Sequence, residues 1–343
     1  MIVDNKFYLK NGWINLYKPS GVTSSECTYK IRKLLTQSLK KIGILPEKDK
    51  ISCGHMGTLD PMADGVLPIA IGYASKTIPM RTNRHKEYDF TIYWGIKTDT
   101  DDAFGSVLDI CDKIPSDPEI ENAIKYFIGE IKQIPSCFSA IHINGIRAYK
   151  LARMGQSFTM PSRKVFIFDL EHLKSYRVEG QNKSKCFSEF NVKCSTGTYV
   201  RTLASDISNY LKTVGHLTKL KRVQNGSFDL ANSFEYQKLL DFFEAFLHTD
   251  SDKDLDSFVY KDVRVLDFLK PIDYKLDDIP VIFIDGNILN KFISGCPVQV
   301  DNLDGFYRVY LNSRMLNIGL IGFAEVKDFK MYPKKVFNVI KKV

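Results

Sequence analysis

Gly54-His55-Met56-Gly57-Thr58-Leu59-Asp60-Pro61-Met62-Ala63-Asp64-Gly65-Val66-Leu67-Pro68 is the stretch on which the reading of this 343-residue chain turns. It shows no helical or strand period, yet it holds three glycines, two prolines and two aspartates. Glycine lets a backbone take positive φ and approach a ligand closely, so the stretch reads as a shaped loop. Pro61 pushes Asp60 out of the helical region into extended backbone. A carboxylate held that way, between glycines, is presented to something. A plain surface turn is the competing reading, because Asp-Pro and Asp-Gly pairs are common in turns. The choice rests on the rest of the chain.

The bulk numbers narrow the classes. The length suffices for a sizeable core and for two domains. Hydrophobic content of 44% and charged content of 26% are ordinary for a globular protein. The net charge of +8 points towards a polyanionic partner. Seven scattered cysteines, with no Cys-x-x-Cys pair, argue against a zinc site or a disulfide framework and for a reducing compartment. The opening Met1-Ile2-Val3-Asp4-Asn5-Lys6 has no signal-peptide layout. No apolar run approaches the ~18 residues of a membrane span. A soluble, cytoplasmic, monomeric protein is expected.

Taken in order, Trp13–Tyr17 alternates as a strand and is broken by Lys18-Pro19-Ser20-Gly21. Thr23-Ser24-Ser25-Glu26 fits a capping box, and Cys27, Ile31, Leu34 and Leu35 follow at helical spacing. The other face of that helix carries Lys30, Arg32 and Lys33, read as a solvated face with an RNA-facing stripe as the alternative. Lys76, Arg81, Arg84, His85 and Lys86 form a basic cluster ahead of a strand at Tyr88–Gly95. Thr98-Asp99-Thr100-Asp101-Asp102 lacks the spacing of a calcium loop and reads as a polar loop. Pro118 starts a helix carrying Ile120, Ile124, Phe127 and Ile128 on one face. Asn144-Gly145 signals a hairpin, ahead of a basic helix face with Arg147, Tyr149, Lys150 and Arg153.

Val165–Leu173 and Phe187–Cys194 read as strands. A second polar turn, Ser195–Arg201, opens a helix with Leu203, Ile207 and Leu211 on one side, and Lys219, Lys221 and Arg222 add a third basic group. The charged run Asp250–Asp254 marks a boundary. Beyond it, short strands at Val281–Ile284, Val298–Val300, Tyr307–Leu311 and Ile318–Val326 suggest a small β-barrel or roll.

No phosphate loop, dinucleotide fingerprint, paired histidines at metal spacing or nucleophile elbow is present in the sequence. One emphatically placed carboxylate remains, Asp60, with polar segments carrying Tyr88, Tyr199 and Arg201 and basic clusters interleaved with aromatics. That composition suits a nucleic-acid surface.

At this point the residues resemble a known family. Gly54–Pro61 with Ala63, Gly65 and Leu67-Pro68 resembles the signature of the TruB-type tRNA pseudouridine synthases. Asn11-Gly12 through Lys18-Pro19-Ser20-Gly21 is similar to the family's N-terminal motif, and Lys86-Glu87-Tyr88 to its Lys-x-Tyr motif. Gln133-Ile134-Pro135, Phe138-Ser139-Ala140 and Asn144-Gly145 with Arg147-Ala148-Tyr149 resemble a fourth block. Gly197–Arg201 is similar to the Tyr-x-Arg motif, with Gly215-His216-Leu217 and Leu220-Lys221-Arg222 following. The matches are ordered and cover about residues 11–233. The tail, with Tyr332-Pro333-Lys334-Lys335-Val336-Phe337, resembles a PUA-like domain more loosely. Three positions depart from the pattern: Tyr17 where aspartate is common, His142 where lysine is frequent, and Lys221 where arginine is common.

The resemblance implies an α+β fold, a mixed and largely antiparallel sheet with flanking helices and a central cleft, followed by a small C-terminal β domain. The expected division is 1–235 catalytic, 236–276 an extended connection, and 277–343 PUA-like and RNA-binding. It implies isomerisation of uridine 55 in the T-arm of tRNA, with no cofactor and no metal. By resemblance Asp60 is the nucleophile. A carboxylate that must stay ionised in a closed pocket calls for a cation beside it, and Arg201 is the candidate, through a two-bond fork. Tyr88 would stack on the flipped base, and its phenol is a candidate proton acceptor. His55, Tyr199, Leu220 and Lys86 are expected at the substrate, with Leu220 in the apolar wall. Lys18 and Gly57 are expected to support the loop, and Asp64 is read as a turn or surface residue. Two alternatives are a guide-RNA-dependent synthase subunit and a non-catalytic tRNA-folding chaperone.

Overall fold

The computed structural model describes residues 6–81, 84–180, 184–248, 268–312 and 320–337. The charged run Asp250–Asp254 and the start of the strand expected at Ile318–Val326 lie outside the described residues.

The chain builds one large sheet. Its spine runs Phe234–Glu235 (β14), Gly12–Lys18 (β1), Asp64–Ile71 (β3), Gly215–Asn225 (β12), Lys86–Trp94 (β4), Lys185–Cys194 (β11), Arg163–Val178 (β10) and Gly129–Gln133 (β7). Short strands Cys53–His55 (β2), Phe228–Asp229 (β13) and Leu269–Lys270 (β15) pair at its margins. Most pairings are antiparallel, but β1 with β14 and β3 with β12 are parallel, so the sheet is mixed as expected. The β3–β12 pairing covers only Lys221↔Asp64 and Arg222↔Gly65, and this short seam is where the two halves of the sheet meet.

The opening stretch is part loop and part strand, which differs from the sequence reading. β2 takes in Gly54 and His55, β3 takes in Asp64 to Pro68, and every residue from Gly65 to Ile71 is buried. A strand covered on both faces loses the alternation that reveals a half-buried one, so no period was there to read.

Each half-sheet carries its own core. Helix α2 (Ser24–Lys41) starts at Thr23, whose side chain accepts from Glu26 N, and buries Cys27, Ile31, Leu34 and Leu35 against β1 and β3. Helix α6 (Tyr236–His248) packs Leu239, Leu240 and Phe243 into the same core. In the other half, α5 (Val200–Tyr210) turns Leu203, Ala204 and Ile207 onto Phe90, Ile92 and Phe190 of the sheet. Helix α3 (Asp117–Ile124) has Pro118 in its first turn as expected, adds a capping box between Ser116 and Glu119, and seals that core with Ile120. It ends earlier than the sequence suggested: residues 125–127 tighten into a 3₁₀ turn, and Ile128 is extended and exposed.

A separate five-stranded sheet, Val281–Ile284 (β16), Gly305–Leu311 (β18), Leu320–Lys327 (β19), Lys330–Val336 (β20) and Val298–Gln299 (β17), forms the C-terminal body with helix α7 (Gly286–Ile293). Its core also takes in Ile272 and Leu276, and Phe7 reaches it from the short N-terminal helix α1 (Lys6–Leu9). The two bodies are therefore tied by the chain's first helix as well as by its connection.

Candidate active site

The loop from His55 to Ala63 is held through its carbonyls. Asn225 Nδ2 donates to Met56 O at 2.7 Å, and Arg222 Nη2 and Nη1 donate to Gly57 O and Thr58 O at 2.8 and 3.4 Å. Ser24 Oγ closes on both Leu59 N and Leu59 O, at 2.8 and 2.9 Å. Ser20 Oγ donates to Met62 O, and the Gly21 amide to Pro61 O. Lys18 is wholly buried and sends its ammonium to Pro19 O, Val22 O and, at 3.4 Å, Pro61 O. Such satisfaction of nearly every loop carbonyl fixes where Asp60 points. Gly57 supports the loop by adopting a φ of +75°.

Arg222 is the centre of this bracing. It has no exposed surface, although the sequence placed it in an exterior basic group. Its Nε also donates to Val66 O at 2.7 Å, and its guanidinium lies on the Tyr88 phenol. Only glycine fits opposite it: at Gly65, with φ +108°, a Cβ would lie 2.3 Å from Arg222 O. The strand seam, the loop and the buried cation are one device.

Asp60 remains one-third exposed and faces Arg201, whose Nε donates to its Oδ2 at 2.8 Å. Arg201 stands in the first turn of α5 and is buried. The expected two-bond fork onto Asp60 is not formed. Instead Nη1 donates to Thr100 O at 2.9 Å and lies 3.5 Å from Asp102 Oδ2, while Nη2 donates to Phe138 O at 3.2 Å. One guanidinium therefore ties the loop to two other segments. Asp102 is a site residue that the sequence reading missed, because the acidic run around it looked like a solvated loop. It is nearly buried, and Thr100 Oγ1 and Phe104 N both donate to its Oδ1. The run leaves β5 (Ile96–Thr98) and returns at β6 (Val107–Ile110), so hairpin geometry carries Asp102 inward.

Above Asp60 opens a cleft of about 260 Å³. Asp60, Lys86, Tyr88, Ser139, Tyr199, Arg201 and Leu220 are among its walls. That volume is just under the ~300–1,000 Å³ of a pocket that takes a small molecule whole, and suits a single flat base. Tyr199 is set by Gln133, whose Oε1 accepts from Tyr199 N at 3.0 Å, and Arg163 lies over its ring at 5.4 Å. Burial pushes the Tyr88 phenol up to about 12, against the opposing pull of Arg222. The phenol is thus protonated at neutral pH, and stacking is the role that its position supports. Burial first, and Arg222 second, brings the Lys86 ammonium down to about 8. Burial likewise lowers Lys18 to about 8. Ser139 is buried in the wall, and its Oγ has no partner among the described residues.

Two residues lie elsewhere. His55, at the end of β2, faces a separate concavity with Tyr29 and Arg32 rather than the Asp60 cleft. Asp64 is half-buried at the start of β3 and accepts from Tyr17 OH, so it is part of the sheet and not a turn. The tyrosine that departs from the family pattern thus caps this carboxylate, and burial and Asp64 together raise its own phenol to about 12.

Comparison with known proteins identifies the family. Residues 45–200 match the TruB family pseudouridylate synthase N-terminal domain, and residues 201–277 the tRNA pseudouridylate synthase B C-terminal domain. The chain is 36% identical over 335 residues to tRNA pseudouridine synthase B of Ehrlichia chaffeensis, spanning 96% of this chain and 99% of that protein. It is 33% identical over 339 residues to tRNA pseudouridine synthase B of Caulobacter vibrioides, with 96% of each covered. Among solved structures, a chain of a Cbf5-Nop10-Gar1 complex superposes with a TM-score of 0.61 at 20% identity, covering 96% of this chain and 86% of that one, a likeness of fold alone. No helix among the described residues is long and apolar enough to cross a membrane. By these matches and by its own motifs, the chain belongs to the TruB family of pseudouridine synthases.

Proposed function

We propose that this chain isomerises uridine 55 in the T-arm of tRNA to pseudouridine, acting as a monomer in the cytoplasm without a guide RNA. The observation that carries the reading is Asp60 paired with Arg201 at 2.8 Å in the wall of a cleft sized for one base. A base inside a folded arm must leave the stack at a cost of a few kcal/mol, and an aromatic wall offsets part of it at ~1–3 kcal/mol. Tyr88 supplies that wall, with Tyr199 and Leu220 beside it. Asp60 acts as nucleophile and forms a covalent intermediate, and the bond to its carboxylate is broken again before the product leaves. The C1′–N1 bond breaks, the uracil turns, and a C1′–C5 bond forms. C5 then gives up its proton and N1 gains one. Substrate and product are isomers, so the balance requires no cofactor, oxidant or second substrate. Arg201 holds the carboxylate in line, and Lys86 offers a cation at the rim. Residues 1–235 carry this chemistry, 236–276 connect, and 277–343 form a PUA-like domain that adds RNA contact.

Relatives of 32–40% identity named tRNA pseudouridine synthase B favour stand-alone action. The test is incubation of the pure protein with a T-arm stem-loop, followed by mapping of pseudouridine. Modification at a single T-loop uridine is expected, and Asp60→Asn is expected to abolish it while RNA binding persists. Turnover by that variant would refute the nucleophile assignment. Activity only after addition of a guide RNA would move the chain to the guide-dependent class. Preserved cellular function in that variant would make tRNA folding its main role.

A further inference from the structure

A concavity of about 370 Å³ lies between α2 and β2 and shares no wall residue with the Asp60 cleft. Its walls include Ser25, Thr28, Tyr29 and Arg32 from the helix and Gly54 and His55 from the strand. Four features mark it. Arg32 is half-buried, with its guanidinium 5.4 Å from the Tyr29 ring and near enough to Cys53, another wall residue, to act on its thiol; among the described residues no carboxylate pairs with it. Tyr29 is 57% exposed. His55 Nδ1 is buried with no hydrogen-bond partner among the described residues. A side chain at Gly54 would meet nothing within 4 Å, so the floor is open.

We propose that this concavity is a second nucleotide subsite, in which Arg32 takes a phosphate of the strand that flanks the flipped uridine and Tyr29 stacks the neighbouring base. The inference rests on the RNA-isomerase reading above. An unpaired guanidinium and an exposed ring are the two groups that single-stranded RNA requires, one for its backbone and one for an unstacked base. Burial, with Arg222 adding to it, lowers the pKa of His55, so the positive charge of the concavity rests on Arg32. Position supports the pairing of the two sites. His55 and Asp60 share one loop, so their Cα atoms are at most about 18 Å apart, a span that a few nucleotides cover. Ser24 of the same helix holds Leu59. A strand seated on α2 would therefore be read by the element that also sets the catalytic loop. The stripe of Lys30, Arg32 and Lys33 that looked merely solvated in the sequence becomes, at Arg32, a ligand site.

The experiment measures the affinity of a synthetic T-arm stem-loop for the wild-type protein, Arg32→Ala, Arg32→Lys, Tyr29→Ala and Tyr29→Phe across a salt series. It also measures single-turnover rates at saturating RNA. Arg32→Ala should bind about tenfold more weakly, as expected for loss of one charged hydrogen bond. Its log–log salt slope should fall in magnitude by about 0.7, the share of one single-strand phosphate. Arg32→Lys should keep the slope, Tyr29→Phe the affinity, and Tyr29→Ala should lose affinity with no change of slope. The loss should fall on binding and not on the saturated rate. Stem-loops with one methylphosphonate linkage, moved along the T-loop, should reveal a single linkage whose neutralisation weakens the wild type but not Arg32→Ala. A wild-type slope in Arg32→Ala, or no linkage that couples to it, overturns the subsite while leaving the isomerase reading intact. A wild-type protein that neither binds nor modifies the stem-loop overturns both.

Discussion

Replacing Arg201 by lysine keeps the positive charge and removes the geometry, which makes it the sharpest test of how Asp60 is positioned. Arg201 reaches four groups from three nitrogens: Asp60 at 2.8 Å, Thr100 O at 2.9 Å, Phe138 O at 3.2 Å and Asp102 at 3.5 Å. A lysine carries a single nitrogen at the end of a flexible four-carbon stem, so it can follow Asp60 only by releasing both carbonyls. Hydrogen bonds from a charged donor are worth about 1.5–3 kcal/mol each, so the two losses put ~3–6 kcal/mol of positioning at risk. Water entering the half-open cleft recovers part of that. The kinetic consequence is larger than the residual charge suggests, since misplacement on the order of 1 Å costs roughly 10²-fold in rate. A stem-loop tritiated at C5 of its uridines reports the reaction directly, because the C5 proton leaves when the new bond forms. Single-turnover release should fall at least ~10²-fold with RNA affinity changed by no more than about threefold, the mark of an interaction made at the reacting groups. A rate within threefold of wild type would mean that charge alone suffices and that the four-way contact is incidental.

Three other outcomes follow from the same contacts. Asp102→Asn leaves the side chain's shape but removes the second carboxylate from Arg201, and should slow single turnover about tenfold with little change in RNA affinity; an unchanged rate would demote Asp102 to a hairpin residue. Arg222→Met leaves the carbonyls of Gly57, Thr58 and Val66 without their donor, and urea titration should show a loss of about 3–5 kcal/mol; a loss under ~1 kcal/mol would contradict the bracing role. Lys86 titrates near 8 in the fold, with burial as the first cause, against about 10.4 in an unfolded chain. Between those values the unfolded chain holds the extra proton, so the Lys86 contribution makes stability rise with pH. RNA affinity should move the opposite way, falling as pH passes 8, and Lys86→Met should flatten that fall; a wild-type pH profile in the variant would remove Lys86 from the RNA contact.

The legible parts of the fold were those where sequence and surface agree. Helix α2 shows its cap at Thr23 and its apolar stripe, and the hairpin at Asn144-Gly145 has positive φ at both residues. β3 was legible only in its last residues, where Ile69-Ala70-Ile71 reads as a short buried run; buried on both faces, the rest offered no alternation to read. The Ile128 error has the same origin as most boundary errors. Helical spacing continues in the sequence beyond Ile124, but a 3₁₀ turn and the strand β7 take over the backbone.

The site divides along a similar line. The loop, Asp60, Tyr88, Tyr199 and Arg201 were legible because each stands in a segment marked by glycine, proline or a resemblance. Asp102 and the burial of Arg222 were not. Nothing local distinguishes Arg222, which has no exposed surface, from Lys221, which is half-exposed beside it. Strand register decides it, since Arg222↔Gly65 puts the guanidinium at the seam while its neighbour faces away. Nor does anything local separate Asp102, turned inward by a hairpin, from Asp99, whose carboxylate accepts from Ser106 N at the surface. Burying Arg222 is costly unless its donors are satisfied, and the loop carbonyls supply those acceptors only in the conformation that presents Asp60. The desolvation of one arginine is thus coupled to the placement of one carboxylate. Loss of the loop geometry would strand a buried charge, so the fold holds Asp60 in place for the same physical reason that it stays folded.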